Sequence, residues 1–99
     1  MFPSPFTTKL IADMLSHKES GVVAVALHEI DARKLEVPRD DVRALLASDN
    51  ASVRWTALDW LSRHPDPSDR PALKPLLADP NGPVAELARR YRDTLKPAP

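Results

Sequence analysis

The apolar residues of this chain fall into two alternating patterns. The short one reads Ile11, Met14, Leu15, then Val42, Leu45, Leu46, then Leu73, Leu76, Leu77. Its i, i+3, i+4 spacing puts each trio on one face of a helix. A longer pattern follows each trio. In the central copy Val53, Ala57, Trp60, Leu61 and His64 share one helical face. Between the two lies a polar turn, Ser48-Asp49-Asn50 or Asp79-Pro80-Asn81-Gly82-Pro83. Asn50 and Asn81 suit the N-cap, and Pro83 suits a first turn, where its missing N–H costs little. Pro38 and Pro71 likewise open the short helices. The pattern predicts helix–turn–helix units. Val22-Val23-Ala24-Val25 alone would read as a strand, but its register counterpart, 53–56, lies in a helical segment and predicts helix there too.

The copies are spaced 31 residues apart, without a gap. Leu45-Leu46-Ala47 returns as Leu76-Leu77-Ala78, Asn50 as Asn81, Val53 as Val84, Ala57 as Ala88 and Trp60 as Tyr91. In the other direction Ala57, Leu58 and Leu61 meet Ala26, Leu27 and Ile30. A lone helical hairpin cannot bury its own apolar face, whereas three stacked ones bury a continuous core. The expected architecture is an all-α fold, a short α-solenoid of three helix-turn-helix repeats over one domain, 1–99, with repeats at approximately 8–38, 39–69 and 70–96. In the last repeat Leu58 becomes Arg89 and Leu61 becomes Arg92, as a terminal cap requires. Trp60 and Tyr91 read as core.

Composition narrows the function. Eleven prolines and two glycines are the punctuation of short helices joined by tight turns. Fourteen basic residues balance fourteen acidic ones, so no global field favours nucleic acid or an anionic membrane. There is no cysteine, hence no disulfide or thiolate chemistry. No apolar run approaches the ~20 residues of a spanning helix, and the start of the chain lacks a basic region before an apolar one. The expectation is a cytoplasmic protein.

The segments 45–58 and 76–84 resemble HEAT-like repeats, particularly the short bacterial kind named after phycobilisome lyases. The shared pattern is two leucines, an Asp-containing turn, then Val-Arg and Ala-Leu on the second helix. Val-Arg occurs here as Val53-Arg54, while the other copies carry Val22-Val23 and Val84-Ala85. Pro75, within a first helix, is similar to the kinking proline of such repeats. The resemblance implies a binding protein whose second helices line a concave surface, and the expectation is a protein–protein interaction module with no cofactor, an adaptor, inhibitor or immunity-type protein. The positions opposite the buried stripe of those helices, at about 180–240° from Val53 and its counterparts, are Ala24, His28, Asp31, Trp55, Asp59, Ser62, Glu86, Arg90 and Asp93. The expected partner-binding residues are Trp55, Asp59, Ser62, His28, Asp31, Glu86 and Arg90. Trp55 either anchors a protein or peptide partner or packs on a neighbouring helix or under the Phe2–Phe6 segment. Glu86 and Arg90 also have the spacing of a surface ion pair.

Other chemistry finds less support. His28-Glu29 is similar to the His-Glu pairs of iron-binding HEAT enzymes of the deoxyhypusine hydroxylase type, but one pair cannot enclose a metal. No Gly-rich phosphate loop exists. The chain reads as a non-enzyme without a metal site. His64 reads as a support for helix C-terminal carbonyls. Arg89, Arg90, Arg92 and Lys96, with Arg70 and Lys74 before them, offer the alternative of a nucleic-acid-binding domain using the basic last helix. Glu86, Asp93 and zero net charge speak against it. Phe2, Phe6 and Leu10 either cap the core or offer the N-terminal repeat as a weak homodimer surface.

Overall fold

The computed structural model describes residues 13–15, 19–34 and 39–95. Among these every regular element is helical and none is a strand. Residues 13–15 are helical, and five further α-helices follow among the described residues: α1 (Ser20–Arg33), α2 (Arg39–Ala44), α3 (Ala51–Arg63), α4 (Arg70–Leu73) and α5 (Gly82–Thr94). Residues Val22 to Val25 belong to α1, so tertiary context overrides their β-branched strand preference. The short helices tighten into 3₁₀ turns, Leu45–Ala47 after α2 and Lys74–Ala78 after α4. Pro75 sits at the start of the second of these turns. There its missing N–H removes an α-type bond and its ring disfavours a continuing α-helix. Leu45–Ala47 tightens without any proline.

α3 is central. It packs on α1 on one side and α5 on the other, while α2 and its 3₁₀ turn lie against α3 and the Lys74–Ala78 turn against α5. The core runs between these layers. Val42, Val53, Ala57, Leu58, Leu61, Val84 and Ala88 are fully enclosed, with Val23, Ala26, Leu27 and Ile30 from α1. Trp60 and Tyr91 are buried as expected. In α1 it is Val23 rather than Val22 that lies deepest. Ile11 and Pro38 lie outside the described residues, as do Phe2, Phe6 and Leu10.

The 31-residue period recurs as hydrogen bonds. Arg39 donates to the carbonyl of His64, and Arg70 to that of Leu95. Asn50 accepts from the Ser52 N–H at 2.9 Å and Asn81 from the Val84 N–H at 3.1 Å. The second cap reaches one residue further because Pro83, at the position matching Ser52's, has no N–H to give. Ser48 and Asp79 each receive the N–H two residues on, from Asn50 and Asn81. Helix ends leave such groups orphaned unless a partner is supplied, and both helix pairs solve this alike. His64 differs from expectation. Its backbone N–H closes α3 on Trp60 and Leu61, but the side chain that supports the terminal carbonyls is Arg39.

Two ion-pair bridges join the pair α2–α3, the second helix pair of the sequence pattern, to the pair α4–α5, the third. Asp69 is completely buried. Arg39 Nε reaches its Oδ1 at 2.9 Å, Arg43 Nε reaches the same oxygen at 2.7 Å, and the Tyr91 hydroxyl donates to Oδ2. Tyr91 in turn accepts the Asp66 N–H at 3.0 Å. Burial pushes the Asp69 carboxyl up, but hydrogen bonds from Arg39, Tyr91 and Arg43 outweigh it and hold the group below the usual carboxylate range. Arg54 grips Asp79 through two 3.0 Å bonds, one to each oxygen. Asp79 is also held low, since the Arg54 and Asn81 N–H groups overcome its desolvation. At the register positions one copy earlier stand Val23 and Ser48, so donor and acceptor are lost together.

Asp69→Ala is expected to lower the unfolding free energy by about 3–5 kcal/mol in urea titration, since it strands two guanidinium groups and a hydroxyl; a loss below about 1 kcal/mol would contradict the bridging role. A depressed folded-state pKa stabilises above the unfolded value and loses that contribution as pH falls through the folded one. The stability gap between wild type and Asp69→Asn should therefore narrow below about pH 4.

Candidate partner-binding face

α1, α3 and α5 lie side by side, so the sides turned away from α2 and the Lys74–Ala78 turn share one surface. Their apolar positions face inward, which leaves this surface to the residues about 180–240° round each helix. Trp55 is 42% exposed there. Val25, on α1, and Trp55 are the large apolar side chains left exposed among the described residues. An isolated exposed valine is ordinary, but an exposed tryptophan leaves a large aromatic area in water.

Trp55 lines an open, shallow groove of about 260 Å³ with Ala51, Ser52, Asn81 and Pro83. One wall is the first turn of α3, the other the N-terminal end of α5. The groove is positioned by backbone capping. Asn50 fixes the start of α3, and Asn81 uses its carbonyl oxygen to hold the start of α5. Pro83 then presents a rigid apolar ring that needs no hydrogen-bond partner.

The other expected contact residues divide into three groups. His28, Glu86 and Arg90 are exposed, and Arg90 pairs with Glu86 at 2.9 Å. Asp59 and Ser62 are half-buried: Asp59 pairs with Arg63 at 3.2 Å, and the Ser62 hydroxyl donates to the Asp59 carbonyl. Asp31 serves the packing of α1 on α3. Its Oδ1 accepts the Trp60 indole N–H at 3.0 Å and lies 2.9 Å from His64 Nε2, while Arg63 is 3.6 Å from the other oxygen. The His64 ring lies against Trp60, with centroids 4.4 Å apart. The free apolar part of the face is thus at the N-terminal ends of the helices. Its C-terminal part is tied up in ion pairs.

Angular position about single helices picks out Trp55 but not Ala51, Ser52, Asn81 and Pro83. Those residues meet only because two helix starts lie side by side. The constant 31-residue offset that aligns Ser52 with Pro83 and Asn50 with Asn81 was the signal available for them.

Among the described residues no helix is long and apolar enough to cross a membrane. In comparisons with known proteins, the chain matches no family model, no curated protein and no solved structure.

The exposure of Trp55 predicts that Trp55→Asp stays folded, with unfolding free energy within about 1 kcal/mol of wild type. Iodide should quench the fluorescence of Trp60→Phe, which retains Trp55, far more than that of Trp55→Phe, which retains Trp60. Equal quenching, or an unfolded Trp55→Asp, would place Trp55 in the core.

Proposed function

We propose that the chain is a short HEAT-like α-solenoid of three repeats that acts as a non-enzymatic protein–protein interaction module. A partner protein or peptide docks on the face of the second helices with Trp55 as its anchor. The observation that carries this reading is the exposed Trp55 indole beside the groove formed by Ala51, Ser52, Asn81 and Pro83. Anchors of this kind combine a rigid aromatic surface with little side-chain entropy to lose. The groove is lined by the apolar Ala51, Trp55 and Pro83 together with Ser52 and Asn81, and it is too open to enclose a small molecule. It suits an apolar or proline side chain presented by an extended segment.

The repeat reading is supported by matched contacts in the second and third helix pairs: Arg39 and Arg70 on helix ends, and Asn50 and Asn81 on helix starts. The bridge from Arg54 to Asp79 gives a physical reason for a Val-Arg step followed, in the next repeat, by an Asp-containing turn.

Affinity capture from a lysate of the source organism, with wild type and Trp55→Asp as paired baits, tests the proposal. A partner held by wild type should be lost from the folded variant by at least about 30-fold, as removal of an aromatic hot spot implies. Equal capture by both baits would overturn the assignment of Trp55 as anchor.

A further inference from the structure

The edge that ends the third helix pair carries a second recognition feature, separate from the Trp55 groove. In the second pair, Arg39 and Arg43 reach across to the Asp69 carboxylate. One register step on, their counterparts are Arg70 and Lys74. The counterparts of Leu58 and Leu61, both wholly buried, are Arg89 and Arg92, which are exposed. Two of these four cations therefore stand where Arg39 and Arg43 meet the next unit one step earlier, and two stand where leucines are buried. Arg70 donates to the Leu95 carbonyl, as Arg39 does to His64. Arg92 has a side contact with Asp93 at 3.3 Å, whereas no carboxylate meets Lys74 or Arg89 among the described residues.

We propose that this edge docks an acidic segment of a partner protein, with Arg70 and Lys74 gripping a carboxylate as Arg39 and Arg43 grip Asp69. The substitution of arginine for Leu58 and Leu61 removes the apolar surface that would stack a further repeat, so the contact is electrostatic. A second copy of this chain fits poorly. The register counterparts of Asp69 and Asp79 in the first repeat, Thr7 and His17, are not carboxylates. A long polyanion is also disfavoured, because Glu86 and Asp93 flank the basic edge on α5 and the chain carries no net charge. A short carboxylate-bearing segment avoids both.

Fluorescence anisotropy at low salt tests this with two probes: a labelled peptide of alternating aspartate and serine, and a labelled oligothymidylate of matched charge. The peptide should bind wild type, more tightly than the oligonucleotide, and should release as salt rises. Lys74→Glu with Arg89→Glu should weaken it at least about tenfold, and the milder Lys74→Gln with Arg89→Gln should weaken it less. Both side chains are exposed, and circular dichroism should show unchanged helix content. Arg90→Gln, off this edge, should change affinity by less than about twofold. The proposal is overturned if wild type does not bind the peptide, if the Lys74 and Arg89 variants bind it as well as wild type does, or if the oligonucleotide binds more tightly.

Discussion

A carboxylate with no exposure to water organises this structure. Asp69 lies where the second helix pair meets the third, and desolvating it would be prohibitive without compensation. Arg39 and Arg43 approach from α2, Tyr91 approaches from α5, and the Asp66 N–H secures the tyrosine in turn. Arg39 and Arg43 come from one helix pair and Tyr91 from the other, so neither pair alone supplies all of these bonds. Apolar burial would tolerate small slips between layers of helices. A buried carboxylate with directional partners does not, and it fixes the register at which α5 sits against α3. The bidentate Arg54–Asp79 bridge fixes the same register at the other end of those helices.

That register produces the candidate binding face. With α3 and α5 held level, their starts lie side by side, and Trp55 comes to rest beside Pro83 and Asn81. The ends of the helices take a different course. Asp31, Asp59, Arg63 and His64 bond one another and Trp60, which stiffens the C-terminal half of the face and leaves the N-terminal half for recognition. Structural charge pairs and exposed aromatic surface therefore occupy separate regions of one surface.

Much of the helical layout was legible in the sequence because it depends on periodicity. The leucine trios, the asparagine caps and the buried Trp60–Tyr91 pair follow from spacing and capping chemistry. The 3₁₀ tightening at Leu45–Ala47 did not, since nothing in that segment forbids an α-helix. Asp69 was also illegible: an aspartate in a Pro-Asp-Pro-Ser-Asp turn reads as a solvated cap, and its burial depends on residues 30 and 26 positions upstream. Asp31 shows the limit of angular reasoning. Its angle on α1 places it at the edge of the exposed face, but the Trp60 indole from the next unit claims its oxygen. Trp55 does keep 42% of its surface exposed, beside Pro83 and Asn81.

The claim that a buried ion pair, more than apolar contact, sets the joint between the helix pairs is tested most directly by a double-mutant cycle on Arg39 and Asp69. Unfolding free energies would be measured for wild type, Arg39→Ala, Asp69→Ala and the double variant. The account predicts a coupling energy above about 1 kcal/mol, with the double variant far less destabilised than the sum of the singles. Additivity within about 0.5 kcal/mol would contradict it.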